Sequence, residues 1–325
     1  MLLCGDIGGT TTTLALFHPE RPLEPIDPVR HQSQAFHGLE EIVQGYLGGR
    51  RVGVEGACFG IAGPVHGERV ATTNLPWVVD AAALRARLAG APVVLLNDLQ
   101  ALAHGVLVLP ADRLAILNPG HPAPGNAAVI AAGTGLGEAG LMWDGTRHVP
   151  LATEGGHADF APRSEREIAL LRYLLGRSPH VSWEQVVSGP GLVHCFEFLR
   201  DAEGLPVPDG LAAAVAEHGP GAISAAGLAG VAPIAVAALD LFTGCYGAEA
   251  GNLALKLLAT GGTYVGGGIA PKILPKLQDG TFRAAFVAKG RFASLLEDVP
   301  VRVILDPRTA LYGAARYAAL ACGTR

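Results

Sequence analysis

Asp98 ends the apolar run APVVLLND (Ala91 to Asp98), and the helical pattern LQALAHG follows at once. A carboxylate just past a buried strand stands where α/β folds gather ligands, and it can take a proton from a substrate hydroxyl. The same position suits a helix N-cap, and the residues alone leave both readings open. Glu154 and His157 share a Gly-flexed loop, EGGH. Such a pair can bind a ligand, lie idle on the surface, or form half of a metal site. No second His or carboxylate repeats at ligand spacing, which disfavours the metal. Glu184, in SWEQ, reads by itself as a solvated helix residue.

Three glycine-rich turns stand beside these side chains. The first holds Asp6, Gly8, Gly9 and Thr10 (GDIGGTTTTLAL), the second Gly133, Thr134 and Gly135 (AAGTGLG), and the third Gly266, Gly267 and Gly268. Backbone N–H groups exposed in tight Gly turns form anion-binding concavities. None of the turns carries the Lys of a P-loop. Gly135, Gly137 and Gly140 spell G-x-G-x-x-G, but that motif should open a helix, and LMWDGTRHV reads as a hairpin. The plain alternative is that all three are hairpin turns and nothing more.

Strands and helices alternate around these turns. MLLCGDIGGTTTTLALFHP reads as strand, Gly turn, strand; GLEEIVQGYLGGR as a helix with a Gly-Gly stop. VEGACFGIAGPVHGERVATTN reads as strand, Gly-Pro loop and strand, then AAALRARLAG as a helix. NAAVIAAGTGLGEAGLMWDGTRHVP repeats the opening logic about 125 residues later, as strand, Gly turn with Thr, and strand. The repetition suggests a duplicated fold with a ligand between its halves. Helical patterns fill Ser164 to Ala259, and a strand (VPVRVIL) and a helix (TALYGAARYAALA) close the chain. The class is α/β.

With 325 residues, 50% of them hydrophobic, two domains are expected. Charged residues make up 16%, the net charge is −5, and no basic block stands out, which argues against a nucleic-acid partner. Cys4, Cys58, Cys195, Cys245 and Cys322 are odd in number and scattered, with no C-x-x-C. Reduced thiols in a cytoplasmic chain are the expectation. MLLCGDIGG is too short for a signal peptide. Gly219 to Leu239 is the longest charge-free stretch, but its Pro220, Pro233 and many Gly and Ala predict loop plus buried helix rather than a membrane span.

GDIGGTTTTLAL, LLNDLQALAHG, AAGTGLGEAGL, EGGHADFAPRSE, VSWEQVVSGPGL, GNLALKLLATGGTYVGGGIAPK, FRAAFVAKGRF and LYGAARY occur in this order. Together they resemble the bacterial-type glucokinases of the actin–hexokinase–heat-shock-chaperone superfamily, from residue 3 to about residue 318. The resemblance implies a two-domain, ribonuclease-H-like (actin/hexokinase-type) fold with an active-site cleft between the domains. The small domain would be residues 1–108 plus 305–325, and the large domain 109–304. ATP, magnesium, glucose and a homodimer are implied with it.

By the same resemblance, Gly8, Gly9 and Thr10 would hold ATP phosphates and Asp6 would orient the magnesium shell through water. Gly133, Thr134 and Gly135 would form the second phosphate loop, and Gly266 to Gly268 would lie under the adenosine. Asn97, Asp98, Glu154, His157 and Glu184 would surround the sugar, with Asp98 as the base. One departure from many relatives is the run Thr11, Thr12, Thr13 in place of longer polar side chains. The first turn then has no cation of its own, and phosphate charge must be met from elsewhere.

The related repressor/open-reading-frame/kinase family has a Cys-rich zinc motif after its E-x-G-H; here ADFAPRSE follows His157. With only five residues before Asp6, no helix-turn-helix is expected in front. The reading is an ATP-dependent glucokinase. Kinases of mannose, glucosamine or fructose, and a weakly catalytic sugar sensor, are the alternatives.

Overall fold

A computed structural model describes residues 1–72 and 75–322 of the chain. It divides into two compact units. Unit 1 holds Met1–Arg113, Pro150–Ala152 and the segment from Asp306; unit 2 holds Leu114–Val149 and Thr153–Leu305.

Alternating burial builds the sheet of unit 1. Along β1 (Leu2–Ile7) and β2 (Thr11–Phe17), Leu3, Ile7, Leu14 and Leu16 enter one core, while Leu2, Cys4, Ala15 and Phe17 enter the other. The chain continues through β3 (Ile26–Gln32), α1 (Leu39–Leu47), β4 (Gly56–Ile61), β5 (Val65–His66), β6 (Arg69–Ala71), β7 (Val78–Asp80), α2 (Ala81–Arg87), β8 (Val93–Asn97) and α3 (Asp98–Val106). The strand order is β3-β2-β1-β4-β8, and β5, β6 and β7 form a small separate sheet. The first three strands of the main sheet are antiparallel, whereas β1, β4 and β8 are parallel. Ile42 of α1 and Leu84 of α2 cover one face; Leu311 and Ala315 of the C-terminal helix Thr309–Ala321 cover the other with Ala101 of α3. The last two residues of the strand–loop–strand reading, Thr73 and Asn74, lie outside the described residues.

Unit 2 repeats the pattern. It contains β9 (Leu114–Asn118), β10 (Ala127–Ala132), β11 (Leu136–Trp143), the start of β12 (His148–Ala152, whose last three residues count with unit 1), α4 (Glu165–Leu175), α5 (Gly189–Asp201), α6 (Asp209–His218), α7 (Pro220–Ala229) and α8 (Pro233–Leu257). Then come β13 (Gly262–Gly266), α9 (Leu274–Leu277), α10 (Thr281–Val287), α11 (Ala293–Asp298) and β14 (Val301–Ile304). The order β12-β11-β10-β13-β14-β9 matches unit 1 over its first five strands, with β10, β13 and β14 parallel. The duplicated strand, turn, strand read in the sequence is therefore a duplicated sheet.

Helix α8 is apolar around most of its circumference and is accordingly core, with Ala238, Phe242, Cys245 and Tyr246 buried. Gly219 to Leu239 differs from the loop expected at its start. Pro220 opens α7, Gly230 ends it in the left-handed region at φ 67°, and Pro233 opens α8. Among the described residues no single helix is long and apolar enough to cross a membrane. All five cysteines are free.

Candidate active site

In unit 1 the parallel strands β1, β4 and β8 end together: Ile7 pairs with Ile61, and Ile61 with Asn97. Two strand spacings of 4.8 Å put the β1 turn about 10 Å from the start of α3. Asp6 is half-buried at this edge, and loss of hydration pushes its carboxyl up to about 6. The Gly8 N–H, which the resemblance assigned to a phosphate, donates to Thr11 O at 2.9 Å and closes the hairpin. Gly9 and Thr10 remain for that purpose.

Ser33 braces the turn. Its hydroxyl donates to Gly8 O (2.8 Å) and lies 3.0 Å from the Thr12 hydroxyl, and its N–H donates to Thr10 O (3.0 Å). The turn has no cation of its own, as expected, but a neighbouring strand brings one close. Register sets Arg30 of β3 opposite Thr13, and its guanidinium donates to the Thr11 hydroxyl at 3.4 Å.

Asp98 is not the helix cap. Asn97 takes that role: its Oδ1 accepts Leu99 N–H (2.8 Å), and Gln100 Oε1 accepts Asn97 N–H (3.3 Å). Asn97 Nδ2 donates to Gly63 O at 3.2 Å, which leaves its amide one N–H for a ligand. Asp98 is the first helical residue, and its Oδ1 accepts Leu99 N–H at 2.9 Å. The helix behind it is seated by small residues. A methyl on Gly60 would reach within 2.6 Å of Ala101 Cβ, and one on Gly313 would come within 2.6 Å of Gly105 N.

In unit 2 the second turn is tied down by two bonds, Gly133 N–H to Gly135 O and Gly189 N–H to Gly133 O, both 2.8 Å. Thr134 is exposed at its tip. Ala131 pairs with Gly266, so the third turn lies beside the second. Gly267 must be glycine: its φ is 82°, and any Cβ would strike the Ala132 backbone. Gly268 faces open space.

Glu184 occupies a turn, half-buried, rather than a solvated helix. Its Oε2 accepts the Leu136 N–H at 2.9 Å, directly against Gly135, where a methyl would overlap it. Its Oε1 lies 4.0 Å from His157 Nδ1, and its own N–H donates to Gly156 O at 2.9 Å. One carboxylate thus joins the second glycine turn to the EGGH turn.

That turn is a single 3-10 turn, Gly155–His157, entered by Glu154. Its glycines serve close approach rather than flexing. A methyl on Gly155 would overlap Glu138 Oε2, and one on Gly156 would overlap Leu136 O. Thr153 links the turn to β11: its hydroxyl donates to Glu138 O (3.0 Å) and accepts Gly155 N–H (3.2 Å).

The structure therefore gathers Asp6, Gly8, Gly9, Thr10, Asn97 and Asp98 at one strand edge of unit 1. It gathers Gly133 to Gly135, Glu154, His157 and Glu184 in unit 2, with Gly266 to Gly268 alongside. Ser33, Arg30 and Glu138 were not read from the sequence. Glu138 left a signal, an acid in the otherwise uncharged strand LGEAGLMW. Ser33 and Arg30 left none, because strand register brings them in. Among the described residues no three His, Cys, Asp or Glu side chains gather to hold a metal.

The glucokinase family model matches residues 3–321. The chain belongs to the glucokinase family. A glucokinase of Trichormus variabilis is 41% identical over 98% of this chain and 99% of its own. Among solved structures, a glucokinase from an Antarctic psychrotroph superposes with a TM-score of 0.83 at 28% identity, covering 98% of both chains. A ROK family glucokinase from Streptomyces griseus, solved with glucose and AMPPNP, gives a TM-score of 0.65 at 25% identity, also covering 98% of both. The fold is that of the actin/hexokinase-type sugar kinases.

Proposed function

We propose that this glucokinase-family enzyme transfers the γ-phosphoryl group of ATP to the 6-hydroxyl of glucose, with Asp98 as general base. The observation that carries the base assignment is the division of labour at the start of α3. Asn97 caps the helix, so Asp98 is not needed as the cap, and its carboxylate sits at the strand edge that also carries the first phosphate turn. The AMPPNP and glucose bound by the Streptomyces griseus relative support the substrate pair.

Asp98 accepts the hydroxyl proton as the oxygen attacks phosphorus, giving glucose 6-phosphate and ADP. Gly9 and Thr10, with Thr134, orient the phosphates. Gly266 to Gly268 offer a surface without side chains to the adenosine. Glu154, His157, Glu184 and the remaining Asn97 N–H pair with sugar hydroxyls, which both donate and accept. Asp6 fits a divalent cation, since a partly desolvated carboxylate is relieved by one. Magnesium held there through water would neutralise charge on the β- and γ-phosphate oxygens.

The two units serve as the small and large domains, and a cytoplasmic homodimer is the working form that the sequence resemblance suggests. The test is a coupled assay with glucose-6-phosphate dehydrogenase. Asp98→Ala is expected to retain glucose binding by calorimetry and to lose turnover by at least about 100-fold. Near-normal turnover overturns the assignment.

A further inference from the structure

Glu138 is 1% exposed, and its Oε1 has no hydrogen-bond partner among the described residues. Above it lies the EGGH turn, whose Gly155 rests against Oε2 and whose Thr153 bonds the Glu138 carbonyl. Below it lies Glu249 of α8, itself fully buried. The lower carboxylate is well provided for: Lys256 Nζ reaches its Oε1 at 3.1 Å, and Asn252 Nδ2 its Oε2 at 2.7 Å. Lys289 backs the group, with its ammonium 2.5 Å from Asn252 Oδ1 and 2.8 Å from Ala248 O. Among the described residues no cation or N–H bonds the Glu138 Oε1 in this way. Of two adjoining buried carboxyls, the one without compensation keeps the proton and can donate it to the other.

We propose that Glu138 is a positioning residue for the Glu154–His157 turn, setting through Gly155 and Thr153 the height at which Glu154 and His157 meet the sugar. This rests on the reading of that turn as sugar-binding. Neutral Glu138 fills the space under Gly155 and keeps the turn seated. Burial first, then the Glu249 charge, push its carboxyl up to about 8, while Lys256 opposes them. The other groups around it are Tyr246 on α8, Lys289 beyond Asn252, and Glu154 and His157 on the turn. Between its ordinary value of 4.5 and about 8 the folded protein holds a proton that the unfolded chain releases, so stability falls as pH rises through that window. Above it, two adjacent carboxylates repel within the core, and the turn above is the part free to move.

The experiment measures KM for glucose, KM for ATP and kcat from pH 6.5 to 9.5 for wild type, Glu138→Gln, Glu138→Ala and His157→Ala, with thermal melts beside them. In wild type, the glucose KM is expected to climb about threefold or more across the alkaline range, while the ATP KM and kcat move less than about twofold. Glu138→Gln, which stays neutral and keeps the shape, is expected to flatten that climb and to hold the neutral-pH KM within about twofold. Glu138→Ala, which empties the space under Gly155, is expected to raise the glucose KM about tenfold at every pH. A climb that survives in Glu138→Gln overturns the proposal and passes the titration to Lys289, whose burial lowers it to about 8. If His157→Ala leaves the glucose KM unchanged, the sugar-binding reading of the turn fails first and the proposal falls with it. If only the Glu138 variants behave normally, the proposal alone fails. Should Glu138→Ala not fold, the pH profile of Glu138→Gln decides.

Discussion

Gly135→Ala is expected to damage sugar binding from within a nucleotide turn. Gly135 stands against the Glu184 carboxylate, and an added methyl would overlap Oε2. The carboxylate must swing away and give up its 2.9 Å bond from the Leu136 N–H. A hydrogen bond to a charged group contributes roughly 1.5–3 kcal/mol, or about 10- to 140-fold in an equilibrium constant. The same swing moves Oε1 relative to His157, now 4.0 Å away, so the loss should appear in the glucose KM as well as in that of ATP. Both constants are read in the glucose-6-phosphate dehydrogenase-coupled assay. A double-mutant cycle with Glu184→Ala isolates the contact. With no carboxylate to strike, Gly135→Ala should add little to the Glu184→Ala defect. Additive effects, or a glucose KM within about twofold of wild type in Gly135→Ala alone, would refute the coupling.

Three further outcomes are expected. Gly313→Ala pushes a methyl into the Ala101 and Gly105 backbone of α3, and should cost about 1–3 kcal/mol in urea unfolding while lowering kcat through the displaced Asp98. Arg30→Ala should raise the ATP KM about two- to fivefold at low salt, and the effect should shrink as salt is added, because the guanidinium beside Thr11 is exposed. Asp306→Asn removes the buried partner of Arg113 and Arg308 and should destabilise unit 1 by on the order of 3 kcal/mol at neutral pH. Burial raises that carboxyl, but the Arg308 N–H and guanidinium outweigh burial and hold it below the usual range. Its stabilisation is therefore present above the ordinary Asp value and lost as pH falls through the lower folded one, so mutant and wild-type melts should converge in acid.

Most of the architecture could be read from the residues, because the first two Gly turns each sit between a pair of apolar strands. The two hairpins that open the sheets and the rejection of a dinucleotide fold at Gly135 follow directly from local pattern, and β11 does continue as a strand. The site was harder. Whether Asp98 or Asn97 capped α3 depended on which residue first takes helical backbone angles, which no spacing reports. Glu184 looked solvated because its partners, Leu136 and His157, lie far back in the chain. Arg30 came to the first turn through a strand register set by β2, and Gly8 lost its N–H to its own hairpin. Long-range pairing decided Glu184 and Arg30, whereas local hydrogen bonds two or three residues away decided the cap and Gly8.

The C-terminal helix carries a consequence for how the protein is made. Leu2, Phe17, Cys58 and Ala101 share their core with Leu311, Ala315 and Ala318. Roughly 190 residues, nearly all of unit 2, separate the two parts of that core. At a synthesis rate of about 5–20 residues per second, a nascent chain waits about 10–40 s with this face of its first sheet uncovered. Unit 2 can complete its own core in that interval. The helix that bears Asp98 gains its cover from Thr309–Ala321 only once that segment has been made, so a chain stopped before it would combine a finished second unit with an Asp98 helix lacking that packing.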